Sequence, residues 1–362
     1  MLYHFLYPLH EAVSFLNIFQ YITFRSAMAA ITAFLLSLVF GPVIINKLKA
    51  LKIRDKITKG DSIELDKLHS YKRDTPTMGG ILILSAVIIS TCLWADLSNK
   101  YILLGLFVLA WLGLTGFIDD YLKLVKNKSK GLTVASKFTS QLILGLLIGV
   151  ILFTDPEYNS RLDIPFLKDV SVDLGLLFIL FVIIVLTGTS NAVNLTDGLD
   201  GLAIGCVIMV SIAFSVLSYV SGNIKFSNYL LIPYIKGAGE LAVFCSAILG
   251  AGLGFLWFNC FPASVFMGDV GSLALGGALG MVALLIKKEL LLMIVGGIFV
   301  VEALSVILQV ASFRFLKRRI FKIAPLHHHF QFLNWPESKI IVRFWIIAGL
   351  LALFTIITLK IR

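Results

Sequence analysis

Charge is scarce in this chain. Only 14% of its 362 residues are Asp, Glu, Lys or Arg, where a soluble domain carries about 25%, and that shortage excludes a water-soluble fold. Cysteine is scarce too: Cys92, Cys206, Cys245 and Cys260 sit in or beside apolar runs with no CxxC or Cys/His spacing. That pattern excludes a disulfide framework and a zinc site, and leaves packing thiols. The first twenty residues hold no Lys or Arg, so they lack the basic start of a cleavable signal peptide. They are expected to stay in the mature chain as a short amphipathic lead-in. Neither an internal repeat nor a low-complexity tract is visible.

What abounds is apolar surface: 58% of residues are hydrophobic and mean hydropathy is +0.94. Crossing a hydrocarbon core of about 30 Å takes about 20 mostly apolar residues. Runs at about 21–45, 78–95, 101–118, 138–154, 172–190, 202–220, 238–258, 270–286, 289–312 and 340–359 satisfy that length. They predict an all-α integral membrane protein of about ten transmembrane helices, forming one domain over 1–362. An even count puts both termini on one side.

Alternation gathers the loops at 46–77, 119–137, 191–201, 259–269 and 313–338 on the other side. The first carries Lys47, Lys49, Lys52, Arg54, Lys56, Lys59, Lys67, Lys72 and Arg73. The second and last add Lys123, Lys126, Lys128, Lys130, Lys137, Arg314, Lys317, Arg318, Arg319 and Lys322. The opposite loops carry fewer, so the positive-inside rule places this set in the cytoplasm and both termini outside. The net charge of +10 thereby falls where membrane topology wants it, which removes the argument for a nucleic-acid partner.

Every chemistry-bearing motif falls in that one set of loops. The third span ends Asp119, Asp120, Tyr121, Lys123. Adjacent acids at a helix C-terminus oppose the macrodipole and need a cation nearby, or else are solvated interfacial acids balanced by neighbouring lysines. Next comes Asn191 to Gly201 (NAVNLTDGLDG). If a helix begins there, Asn194, Asp197 and Asp200 share a third of its circumference and face a common ligand. Capping by Asn194 and Asp197 accounts for part of the pattern but leaves Asp200 unexplained. Asp269 follows Asn259, Phe266 and Gly268 and reads either as an N-cap or as a ligand for magnesium, which takes one or two carboxylates plus phosphate oxygens and water.

His327, His328 and His329 are consecutive, and neighbours diverge too far on a helix or strand to converge on one metal. Donation to phosphate or sugar hydroxyls suits them better. Glu302 alone stands deep in an apolar run, where a partnered, structural carboxylate is expected ahead of a catalytic one. Cations, carboxylates and imidazoles at one membrane face form what transfer of a diphosphate ester requires.

With these residues in view, the whole chain resembles the bacterial phospho-N-acetylmuramoyl-pentapeptide transferase family, within the polyprenyl-phosphate N-acetylhexosamine-1-phosphate transferase superfamily. The resemblance rests on Thr75 to Gly80 (TPTMGG), Phe117 to Lys123 (FIDDYLK), Asn191 to Gly201, Val265 to Gly271 (VFMGDVG) and Pro325 to Phe330 (PLHHHF). It implies ten helices, homodimerisation in the bacterial inner membrane, and magnesium-dependent transfer of phospho-MurNAc-pentapeptide from its UDP carrier to undecaprenyl phosphate, with a cytoplasm-facing site. Lipid I and UMP would be the products, serving peptidoglycan synthesis.

Carried over by motif, Asp269 looks like the magnesium ligand, and Asp119, Asp120, His328 and His329 join it as catalytic residues. Lys72, Thr77, Lys123, Lys137, Asn191, Asn194, Asp197, Asp200, Asn259, Phe266 and His327 match substrate-binding positions. Asp74 stands where the family usually has glycine, and Gln331 where it has an acid. A GlcNAc-1-phosphate transferase is the nearest alternative, against which the histidine run argues. A secondary transporter would instead place its polar sites near the bilayer midplane, where only Glu302 lies.

Overall fold

The computed structural model describes residues 1–51, 75–124, 131–167 and 170–360. Helical turns over Leu2–Leu6, Tyr7–Glu11 and Ser14–Gln20 lead into ten long or apolar helices. These are α1 (Ile22–Ala50), α2 (Gly80–Trp94), α3 (Lys100–Leu124), α4 (Val134–Thr154) and α5 (Leu177–Thr196). They continue as α6 (Leu202–Ser221), α7 (Leu241–Asn259), α8 (Gly268–Leu285), α9 (Gly297–Leu316) and α10 (Glu337–Ile357). Among the described residues, nine are long and apolar enough to cross a membrane. The tenth, α2, has 15 residues and spans about 22 Å, short of a full hydrocarbon core. The chain is a predominantly helical integral membrane protein.

Burial separates the helices into hub and rim. In α8, 89% of the most apolar stretch is buried, against 28% in α1 and in α9. The hub packs α8 against α3 and α5, while α7 packs against α1 and α6. Small residues permit this, because a Cβ at Gly250 would overlap the Ala30 carbonyl and one at Gly276 would lie 2.5 Å from that of Thr189. Close backbone approach is how helices associate where lipid removes the hydrophobic drive between them.

Three expectations are corrected. The apolar run at 289–312 is not one helix: it breaks at Gly296 into Glu289–Val295 and α9, because the glycine pair Gly296–Gly297 carries little helix propensity. The link between α4 and α5, where the all-α expectation leaves no room for strands, holds an antiparallel ribbon pairing β1 (Arg161–Asp163) with β2 (Ser171–Asp173), with Leu162 opposite Val172. The NAVNLTDGLDG segment does not open a helix. It closes α5, turns at Asp197–Gly201 with Gly201 at φ 77°, and only then enters α6. Asn194, Asp197 and Asp200 therefore do not share a helical face.

Candidate functional site

The end of α3 lies directly on the start of α8. Gly116 makes this possible, since a Cβ there would overlap the Asp269 carbonyl oxygen. Contact of the two helix ends brings Asp119, Asp120 and Asp269 together, with one carboxylate oxygen from each lying within 4.8 Å of the others. The adverse α3 dipole is answered by the N-terminus of α8, whose Val270 N–H donates to Asp120 Oδ2 at 3.3 Å.

Two lysines enter the cluster from different helices. Lys123 Nζ lies 2.6 Å from Asp119 Oδ2 and 2.9 Å from Asp269 Oδ2. Lys137, near the start of α4, reaches Asp269 Oδ2 at 3.0 Å and Asp119 Oδ2 at 3.7 Å. Asn194 donates to Asp269 Oδ1 at 2.7 Å and to Ser272 Oγ at 2.8 Å. The remaining Asp119 oxygen accepts from Leu132 N–H at 2.7 Å. Among the described residues, three carboxylates face two ammoniums, and each carboxylate pair at this spacing costs about 3–4 kcal/mol at an effective dielectric of 20. A hard divalent cation fits the all-oxygen ligand set and the surplus negative charge.

Two motifs are stitched together beneath the acids. Phe266 N–H donates to Pro76 O, Gly79 N–H to Phe266 O and Gly80 N–H to Met267 O, each at 2.8 Å. This pairing sets buried Thr77 against Gly268. Gly268 has φ 73°, and a Cβ there would sit 2.7 Å from Asp120 Oδ2 and 2.9 Å from Thr77 Oγ1. Both backbone sign and space require glycine at this position.

The remaining residues divide by what they hold. Asn191, one turn before Asn194, donates to Gln141 Oε1 at 2.9 Å and to Thr187 O at 2.8 Å, so the polar face of α5 is Asn191 with Asn194. Asp200 is buried and locks loops: its Oδ2 accepts from Ala263 N–H at 2.9 Å, and its own N–H donates to Glu337 Oε1 at 3.1 Å. Asn259 does the same, accepting from Gly201 N–H at 3.0 Å and donating to Val265 O at 2.8 Å. Asp197 is half-buried at the C-cap of α5. Asp269 lies in the first turn of α8 with Met267 as N-cap, so it does not cap the helix. Lys72 and Asp74 lie outside the described residues.

The histidines do not converge. His327 is fully buried, with Nδ1 3.1 Å from Glu302 Oε2, as the carboxylate within an apolar run requires. His328 Nδ1 is 2.8 Å from Gln331 Oε1, and His329 Nδ1 accepts from Lys322 N–H at 3.1 Å. Sequence reasoning missed Gln141, Ser272 and Glu337, although Gln141 stands out as the amide in the apolar stretch of α4.

The sequence compares closely with known proteins. Residues 102–287 match glycosyl transferase family 4, and residues 72–84 match signature 1 of phospho-N-acetylmuramoyl-pentapeptide-transferase. A protein of that name from Citrifermentans bemidjiense is 54% identical over 362 residues, covering all of both chains. Those from Desulforapulum autotrophicum and Nitratidesulfovibrio vulgaris are 51% identical over 365 residues and 53% over 363, again covering both chains completely.

Proposed function

The chain belongs to the phospho-N-acetylmuramoyl-pentapeptide-transferase family, and from that premise we propose how its own residues carry out the reaction. It transfers phospho-MurNAc-pentapeptide from UDP-MurNAc-pentapeptide to undecaprenyl phosphate. An oxygen of the lipid phosphate attacks the sugar-bearing phosphorus, the bond to UMP breaks, and lipid I and UMP leave. The observation that carries this reading is the cluster of Asp119, Asp120 and Asp269 with Lys123 and Lys137 at one end of an apolar bundle.

Magnesium held by Asp269, with Asp119 and Asp120 beside it, would neutralise phosphate charge. The lysines shift from carboxylate to phosphate oxygens as substrates enter, and this positioning and neutralisation is most of what phosphoryl transfer needs. Asp119 orients the lipid phosphate. Both its oxygens are engaged, by Leu132 N–H and Lys123, and a phosphate monoester with a second pKa of about 6 is already mostly dianionic at pH 7. Thr77, Asn191, Asp197, Asp200, Asn259 and Phe266 shape the nucleotide-sugar side, joined by Lys72, and His328 and His329 offer ring nitrogens to it.

The protein works as one domain over 1–362 in the bacterial inner membrane, as a homodimer with ten spans, both termini outside and the site facing the cytoplasm. Support for the orientation comes from the basic residues of the loops that alternation of spans puts on the same side as the three acids. Purified protein should release UMP from UDP-MurNAc-pentapeptide only with undecaprenyl phosphate and magnesium present. Turnover of UDP-GlcNAc in its place would overturn the substrate, and turnover unaffected by chelation would overturn the metal.

A further inference from the structure

Glu302 is fully buried in α9 and spends both carboxylate oxygens on one residue. Oε1 accepts from the backbone N–H of His327 and Oε2 lies 3.1 Å from its Nδ1, each on a helix separate from its own. A carboxylate oxygen facing a ring nitrogen requires the proton on that nitrogen. In the neutral ring, Nε2 is then a bare acceptor. Among the described residues it has no hydrogen-bond partner, it has no exposure, and it abuts Gly198, where a Cβ would overlap it. Gly198 stands four residues beyond Asn194, the residue that grips Asp269.

His329 is held in the opposite sense. Its Nδ1 accepts from the Lys322 backbone N–H, which can only donate, so in the neutral ring the proton sits on Nε2. Two histidines of one run are thereby set in opposite tautomers by partners outside the run.

We propose that Glu302 is a positioning residue of the transfer reaction, fixing His327 as the Nδ1–H tautomer so that Nε2 faces the Gly198 turn as an acceptor while His329 presents a donor. It acts through His327 and touches no substrate. The kinetic part rests on the transferase reading; the tautomers do not. Glu302→Gln keeps the shape but inverts the logic. The amide oxygen must still serve the fixed backbone N–H, so the NH2 faces Nδ1, and the ring proton moves to Nε2. A wrong tautomer in an intact geometry impairs catalysis without dismantling the site.

The test is nitrogen-15 spectroscopy of the full-length, histidine-labelled protein in nanodiscs, assigned with His327→Gln and His329→Gln. The wild type is expected to show Nδ1–H at His327 and Nε2–H at His329. In Glu302→Gln, His327 should switch and His329 should not. The kcat should fall at least about tenfold, the loss typical of removing an orienting partner, with KM for UDP-MurNAc-pentapeptide within about twofold. Glu302→Asp keeps an acceptor, so it should keep the wild-type tautomer and recover part of kcat. A wild-type His327 protonated on Nε2 overturns the proposal even if no variant folds. So does an inverted tautomer with wild-type kcat. A wild type with the expected tautomers and no transferase turnover would instead sink the functional reading alone.

Discussion

Charge is buried at both ends of this bundle, and the two ends handle it differently. At the end opposite the acid cluster, Arg25 meets Glu240 through two bonds of 2.6 Å. The arginine also donates to Trp94 O at 3.3 Å, Glu240 accepts from Asp96 N–H at 2.9 Å, and the guanidinium lies 4.6 Å from the centre of the Tyr3 ring. One cation meets one anion in a fork geometry that leaves no charge over. At the other end, among the described residues, three carboxylates gather beside two lysines that reach Asp119 and Asp269. A balanced pair is finished when the protein folds. An unbalanced cluster is completed only by something that arrives, so surplus charge, rather than burial, marks the working end.

The largest effect that would break this contrast is at Asp269. Asp269→Asn keeps an oxygen for the Asn194 donor but removes a charge that both lysines share. Turnover should fall by at least about a thousandfold, in keeping with preorganised charge worth several kcal/mol to the transition state. Thermal unfolding should move little. Measured turnover near that of wild type would make the cluster a structural ion network like its counterpart at the far end.

Arg25→Met tests the balanced end and should do the reverse. It strands the buried Glu240 carboxylate, a change that costs about 3–5 kcal/mol when one partner of a buried pair is lost. The expected result is a clear drop in the unfolding midpoint in detergent, with kcat per folded molecule preserved at low temperature. A large fall in kcat without loss of stability would show that the two ends are coupled.

How much of this was legible in the sequence follows the same division. Apolar runs of spanning length located the long helices, and alternation of spans put Asp119, Asp120 and Asp269 on one face before any coordinates. Local pattern could not reach further. The Arg25–Glu240 pair joins residues 215 apart in sequence, and nothing near either residue announces the other. The break at Gly296 hides because apolar residues continue on both sides of it. The helical face expected for Asn194, Asp197 and Asp200 failed on a start position: α5 runs on to Thr196, and Gly198 and Gly201 belong to the turn before α6. Strands of three residues, as in β1 and β2, are too short to show a period.

The smallest predicted effect sharpens the contrast at a third place, where a carboxyl is buried near lysines but without a fork-like partner and without a ligand set. Glu289, in the short helix between α8 and α9, is 3% exposed, and among the described residues neither carboxylate oxygen has a hydrogen-bond partner on another residue. Burial holds its carboxyl above the ordinary value of 4.5, against the pull of Lys287, of its own backbone N–H and of Lys288, and with a push from Asp163. Lys287 has its own task, donating to Asn159 O and lying 3.7 Å from the centre of the Tyr158 ring. For an acid whose folded pKa is raised, the folded state holds the proton that the unfolded chain has lost. Stability is therefore full below about pH 4.5 and falls as pH climbs through neutrality. Burial depresses Lys287 toward about 8 from 10.5, so its own effect, a gain with rising pH, belongs to the alkaline window above. Glu289→Met removes the acid, and the variant should unfold at a higher temperature than wild type at pH 7.5, by about 1–2 kcal/mol of stability. The advantage should shrink at pH 5, where wild-type Glu289 is already neutral. An equal advantage at both pH values would mean that packing, and not the buried charge, sets the difference. A variant less stable at pH 7.5 would mean that Glu289 is paired after all, and that this end of the molecule is as balanced as Arg25 and Glu240.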